Sequence, residues 1–242
     1  MLGRRITKGI QSAQPIGARV GILPLVLLLL MIPDGPAAAG CSDKPGPGVD
    51  WTKCQKMRLV LQGQDLSKAQ MERVNLGSTD LLEANLAGAM MANADLERAR
   101  LKEANLQSAD LTKVQGGRAD FGGANLAGAN LTKAELPRTN FSQAELIKAD
   151  LTKAEFGRAD FSEADLTDAN LSYANISRAR FEGAILSGVD LTGAYTLLAH
   201  FEGADLSQTV GLKQDQLEIA CGDDETKLPD GLSPAQSWPC GE

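Results

Sequence analysis

The pentad GRADF occupies residues 117–121 and returns unchanged at residues 157–161. A five-residue word repeated after forty residues asks what length of chain closes one structural turn. Around it, every fifth residue from Leu66 to Leu206 is Leu, Phe, Met or Ile, with Gly116 and Thr196 as exceptions. Two residues before each stands a small side chain, nearly always Ala. Between them lies a polar one, mostly Asp, Asn or Glu, as in Ala84-Asn85-Leu86 and Ala164-Asp165-Leu166. A period of five matches neither the roughly 3.6 of an α-helix nor the roughly 2 of a strand, so neither element keeps these apolar groups on one side. A chain that turns a corner every five residues does, and each side then sends one large and one small group inward.

The apolar positions, sorted by twenty, give the number of sides. One column holds Leu66, Leu86, Leu106, Leu126, Leu146, Leu166, Leu186 and Leu206. Another holds Leu81, Leu101, Phe121, Phe141, Phe161, Phe181 and Phe201. It contains five of the six phenylalanines, leaving only Phe156 elsewhere. Chance would scatter them over four columns. Twenty residues per coil, in four sides of five, is therefore expected, and the two GRADF pentads share a side two coils apart. Local bulges are expected where Gly116 and Thr196-Leu197-Leu198 break the pattern.

The runs ADLERARLKEANLQSADL (residues 94–111), ANLAGANL (124–131) and ADLTDANLSYANI (164–176) resemble the pentapeptide-repeat family, whose motif is A(D/N)LXX. The resemblance covers roughly residues 59–208 and rests on about 29 successive units. It implies an all-β fold, a right-handed quadrilateral β-helix. About seven coils at the strand spacing of roughly 4.8 Å make a rod near 34 Å long. The flanks PGVDWTKC (residues 47–54) and GLKQDQLEIACGDDETKLPDGL (211–232) also look like those of exported family members. Solenoid ends need covering, because unpaired edges invite edge-to-edge growth. We expect an N-terminal cap over residues 40–58 with Trp51, repeats over 59–208, and a C-terminal cap over 209–242. The latter combines a short helix near Leu212–Ala220 with Trp238.

Residues 1–39 form a separate segment. Arg4, Arg5, Lys8 and Arg19 precede the apolar run Val20–Ile32, and Ala37-Ala38-Ala39 follows. This is the layout of a secretory signal cleaved after Ala39. The thirteen-residue run with Pro24 is short for a membrane span, which needs roughly 20 apolar residues. An uncleaved anchor, a lipidated Cys41 and a twin-arginine signal at Arg4-Arg5 are the alternatives. Removing 1–39 takes four basic groups and one acid (Asp34), leaving 20 basic against 30 acidic, a net charge of −10. No bulk attraction for nucleic acid or anionic lipid follows from that balance.

The four cysteines, Cys41, Cys54, Cys221 and Cys240, lie beyond this segment, two near each end. An even count in an exported chain reads as disulfides. Of three possible connectivities, nearest pairing (41–54 and 221–240) closes the shortest loops. Zinc is the rival, but no CxxC pair and a single histidine, His200, are present, so no metal is expected. No cofactor or catalytic motif appears, and an enzyme is not expected.

Any function then lies on the outer surface. Arg98, Arg118, Arg138, Arg158 and Arg178 recur every twenty residues, and Lys113, Lys133 and Lys153 do the same. These columns border one side whose outward residues include Glu135 and Glu155. Like charges at coil spacing repel by about 0.9 kcal/mol per neighbouring pair even in water. Asp120 and Asp160 are the expected counter-charges of the arginine column. The cationic columns are candidates for contact with an anionic partner, an envelope protein or a carboxylated glycan, by a monomer or homodimer. Some family members resemble acidic duplex DNA and inhibit topoisomerases. Here the corresponding column, Asp65, Asn85, Asn105, Asn125, Glu145 and Asp165, is mostly amide until late, and its polar residues read as structural. Mimicry would require the N-terminus not to act as a signal.

Overall fold

A side chain that points inward every five residues must be followed by a corner, and the corners are the repeating unit of the structure. The computed structural model describes residues 40–240; the expected signal segment lies outside the described residues. In nearly every unit the N–H of the fourth residue bonds the carbonyl of the first, as in Val114 to Leu111 (3.1 Å) and Ala159 to Phe156 (2.9 Å). The third residue of that turn takes a left-handed φ, between +53° and +62° at non-glycine corners. Such a φ at that place belongs to a type II turn, which ordinarily prefers Gly or Asn. Here it is mostly filled by Lys, Arg, Glu and Ser.

The Asp or Asn of the motif holds the corner that follows it. Asp110 Oδ1 accepts the N–H of Thr112 at 3.0 Å, Asp150 that of Thr152 at 3.0 Å, and Asn170 that of Ser172 at 2.9 Å. This side-chain-to-backbone bond two residues on is an Asx turn. Where the residue between the two inward groups is Asp or Asn it is therefore structural, as the sequence predicts.

From Asp50 with Gln70 to Asp190 with Val210, each outward strand residue except Ile185 forms a parallel bridge to the residue twenty positions on. The ladder already runs through the segment assigned to the N-terminal cap, since Asp50 and Gln55 bridge to Gln70 and Asn75. Inside, like stacks on like. The rings of Phe121, Phe141, Phe161, Phe181 and Phe201 follow one another at centroid spacings of 5.0–5.2 Å and interplanar angles of 3–20°. Phe156 meets this column edge-on, at 5.7 Å from Phe141 and 5.2 Å from Phe161. The chain is a β-helical solenoid built around one continuous apolar column.

The two expected bulges are absent. Gly116 keeps the ladder, its N–H bonding the Glu135 carbonyl at 2.9 Å. A Cβ there would lie 2.7 Å from Leu136 Cδ2, so the glycine yields room to a neighbouring core side chain. Thr196 is fully buried and donates its hydroxyl to the Gln216 carbonyl at 2.6 Å, while His200 still bridges Arg180 in register. A missing side chain or a satisfied hydroxyl leaves the backbone path unchanged, because the ladder fixes it.

Both ends are closed, the N-terminal one by residues that continue the inward positions and the C-terminal one by a short helix and tail. Trp51 is fully buried in the large-residue phase, its indole N–H donating to the Asp43 carbonyl at 3.2 Å. Cys54 takes the small inward phase and pairs with Cys41. At the other end lies α1 (Gln214–Glu218). Its Leu217 is buried, and the Gln216 amide donates to the carbonyls of Leu191 and Ala194, both at 2.9 Å, the first of which also accepts the Ala194 N–H of its own turn. Thr226 Oγ1 donates to the Phe201 carbonyl at 3.0 Å, and Trp238 Nε1 to that of Ala220 at 2.8 Å. Cys221 pairs with Cys240. Among the described residues, no helix is long and apolar enough to cross a membrane.

Truncating the stacked ring in Phe161→Ala is expected to cost about 3–5 kcal/mol, read as a lower denaturant midpoint. Phe161→Asp, which places an unpaired charge in the dry column, is expected to abolish the cooperative transition. At the C-terminal end, the Ser207 hydroxyl, then Lys227 at 3.0 Å, lowers the Asp205 pKa to about 2 from an ordinary 3.8. The carboxylate contributes stability that is fully present above its ordinary value and lost as pH falls through about 2. Because the pair is half exposed, that contribution is expected to stay below about 1 kcal/mol. Thermal melts between pH 5 and 2 are expected to show an acid loss that is smaller in Asp205→Asn, Asp65 and Asp223 being held below their ordinary value as well.

Candidate functional site

All eight predicted surface cations are exposed. They stand at the left-handed corners, with φ of +56° to +62° for Arg98, Arg118, Arg138, Arg158 and Arg178 and +56° to +59° for Lys113, Lys133 and Lys153. A corner in this conformation carries its side chain away from the core, and the twenty-residue register turns each column into a row. The two rows border one side of the solenoid, with the outward residues Gln115, Glu135 and Glu155 between them.

The expected counter-charges do not pair with the arginine row. Asp120 Oδ1 instead accepts the Gly122 N–H at 3.1 Å and the Asn140 amide at 2.8 Å. Asp160 holds the Ser162 N–H and pairs with Arg180 at 3.8 Å. The reason is the Asx turn: an aspartate committed to its own corner reaches along the coil and across to the next, not back to the preceding corner. Among the described residues, Arg118, Arg138, Arg158, Arg178 and the three lysines form no ion pair, and Arg98 only touches Glu97 at 4.0 Å.

The side between the rows is hollowed. A cleft of about 490 Å³ is lined by Gln115, Gly117, Glu135, Pro137, Glu155 and Gly157 among others. Next to it, a hollow of about 300 Å³ runs along Pro137, Arg138, Gly157, Arg158 and Arg178. The cause is local. Pro137 has no N–H, so an Asx residue two positions earlier would find no donor, and a glutamate stands there instead. Gln115 and Glu155 likewise replace Asp or Asn, whereas Asp95 and Asn175 in the same column keep the bond, to Glu97 and Ser177. Three successive outward residues are thus released from the turn. Glu155 accepts the Asn175 amide at 2.7 Å. The arrangement is a shallow trough with carboxylates on its floor and uncompensated cations along both rims. A third hollow, of about 540 Å³, lies between α1 and the tail, lined by Gln214, Glu218 and Ala235 among others. It brings no opposed charges together.

One grouping was illegible in the sequence. His200 bridges to Cys221, twenty-one residues on, because α1 lengthens the last turn. That places one ligand-type atom each from His200, Glu202 and Cys221 within 4.8 Å of one another. Spacing along the chain shows no such set, since the extra residue belongs to the cap and not to the repeat.

The family model for pentapeptide repeats matches eight copies, over residues 79–114, 119–158, 144–183 and 184–210. The chain belongs to the pentapeptide-repeat family. Among solved structures it is similar to HetL, a pentapeptide repeat protein involved in heterocyst differentiation regulation from the cyanobacterium Nostoc sp. strain PCC 7120. Identity there is 29%, covering 77% of this chain and 85% of HetL, with a TM-score of 0.38. QnrB1, a plasmid-mediated fluoroquinolone resistance protein, is 17% identical over 72% of this chain and 91% of its own, with a TM-score of 0.37. A pentapeptide repeat protein of the Arabidopsis thaliana thylakoid lumen is 26% identical, covering 53% and 77%, with a TM-score of 0.28. No curated protein matches the chain.

Proposed function

We propose that the chain is an exported, non-catalytic scaffold whose trough side docks an anionic partner of the cell envelope, an acidic protein strip or a carboxylated glycan. The observation that carries this reading is the pair of cation rows without counter-charges. Seven of the eight cations form no ion pair among the described residues, although each row bears like charges at successive coils. Repulsion of about 0.9 kcal/mol per neighbouring pair is relieved when an extended polyanion lies along the row. The scaffold is a right-handed rod of about seven coils, closed by α1 and the two disulfide loops, and it acts as a monomer or homodimer.

Export is supported by the layout of residues 1–39 and by the pairing of all four cysteines. Disulfides persist in oxidising compartments. The DNA-mimic alternative is disfavoured by what the acidic column does. Asp65 and Asp165 spend an oxygen on the N–H groups of Ser67 and Thr167, and Asn85, Asn105 and Asn125 stand between them. That side carries no continuous carboxylate row.

Intact-mass measurement on protein from its native cells, with and without reduction and alkylation, is expected to give a chain starting at Gly40 with four oxidised cysteines. A chain starting at Met1 with free thiols would place it in the cytoplasm and return topoisomerase inhibition as the assay to run. The docking reading is tested with Arg138→Glu/Arg158→Glu against immobilised alginate and poly-glutamate. Binding is expected to weaken by about tenfold, roughly 1.4 kcal/mol, with the thermal transition unchanged. Equal binding by variant and parent would remove the rows from the reading.

A further inference from the structure

The C-terminal closure holds chemistry that neither the solenoid nor the trough uses. His200 stands where the motif ordinarily places the Asp or Asn of an Asx turn, and its Nδ1 lies 3.1 Å from Glu202 Oε1. The other oxygen of that carboxylate, Oε2, is buried and has no hydrogen-bond partner. A buried acceptor of this kind ordinarily finds a proton donor, water or an ion. Cys221 is fully buried beside this pair, with its Sγ and the His200 and Glu202 atoms within 4.8 Å of one another. Its disulfide partner Cys240 is only half-buried, with the two Cα atoms 5.4 Å apart.

We propose that this closure is a redox-gated zinc site: when the Cys221–Cys240 bond is reduced, the two thiolates, His200 and Glu202 bind one Zn²⁺. Two sulfurs, an imidazole and a carboxylate are a tetrahedral zinc set, with bonds of about 2.3 Å to sulfur and about 2.0–2.1 Å to nitrogen and oxygen. Those bonds put nitrogen and oxygen roughly 3.3 Å apart and sulfur roughly 3.6 Å from either. The His200–Glu202 contact is already close to that length, and the Cys221 sulfur need close on the pair by only about 1 Å. Once the disulfide is reduced the two sulfurs separate to roughly 3.8 Å, and Cys240 swings in as the fourth ligand. In the oxidised protein the sulfurs are bonded to each other and carry no charge for a metal, so the site is shut.

The electron balance is that of thiol–disulfide exchange. A dithiol reductant attacks the sulfur of Cys240, the less buried of the two cysteines, and, through a mixed disulfide, leaves as its own cyclic disulfide. The protein gains two electrons and two protons as two thiols. Zn²⁺ then displaces both protons, so the loaded site forms with net release of two H⁺. The last coil is tied to the tail by a covalent bond in one redox state and by a metal in the other, and the end of the solenoid stays covered in both.

The full chain is compared oxidised and after reduction with a phosphine that is then removed. Zn²⁺ is titrated against a chromophoric chelator, and Co²⁺ serves as the spectroscopic probe. The reduced protein is expected to take up one metal with a thiolate-to-cobalt charge-transfer band, and the oxidised protein none. His200→Ala and Glu202→Gln are each expected to lower affinity by about tenfold or more while leaving far-ultraviolet dichroism unchanged. Cys221→Ser/Cys240→Ser, which keeps the Cys41–Cys54 pair, is expected to lose the band. Uptake insensitive to His200 and Glu202, uptake that survives in the double serine variant, or a reduced chain that unfolds and is not restored by Zn²⁺ would each overturn the proposal.

Discussion

The structure depends on the backbone ladder between coils, since the ladder holds corners that are unfavourable on their own. Each corner places a residue in the left-handed region, and among the described residues 23 of these are not glycine. For ordinary residues this conformation costs about 1–2 kcal/mol each. It persists because the corner residue also donates to the next coil, as Arg118 does to the Pro137 carbonyl at 3.0 Å and Lys133 to that of Thr152 at 2.9 Å. The Asx bond on one side of the corner and the inward Leu or Phe on the other leave no second path for the chain. No single coil has a partner for these bonds, so the fold forms as an array.

An array of this kind has its weak points at the ends, and the two ends are finished differently. At the N-terminus the repeat phase simply continues: Trp51 and Cys54 occupy the large and small inward positions, and the disulfide covers them. At the C-terminus the phase is broken by α1. Gln216 takes over the Ala194 carbonyl, which a further coil would have bonded, and shares that of Leu191, and the bridges slip from twenty residues to twenty-one at Cys221 and twenty-two at Lys227. That slip gives His200 and Glu202 a cysteine for a neighbour.

The fold's own demands account for most polar residues of the motif, and this sharpens what is left. Asp110, Asp150 and Asn170 serve their corners. Gln115, Glu135 and Glu155 do not, and they lie where glycine and proline hollow the surface between two unpaired cation rows. Residues released from structural work, next to charges with no counter-charge, are where a partner has something to recognise.

The period, the four sides and the phenylalanine column were legible in the sequence, because an inward position tolerates little besides a large apolar group and so marks itself at every coil. The cation rows were legible for the same reason: register turns any twenty-residue recurrence into a line. Their lack of counter-charges was not, since the aspartates nearest in sequence are bound to their own backbone, which only the hydrogen bonds reveal. The consequences of Gly116 and Thr196 were misjudged as bulges. Sequence marks a break in the pattern, but the room left by Gly116 is filled by Leu136, and the Thr196 hydroxyl is satisfied by the cap. The grouping of His200, Glu202 and Cys221 belongs wholly to the tertiary structure, because it rests on a one-residue slip made by a five-residue helix that no repeat encodes.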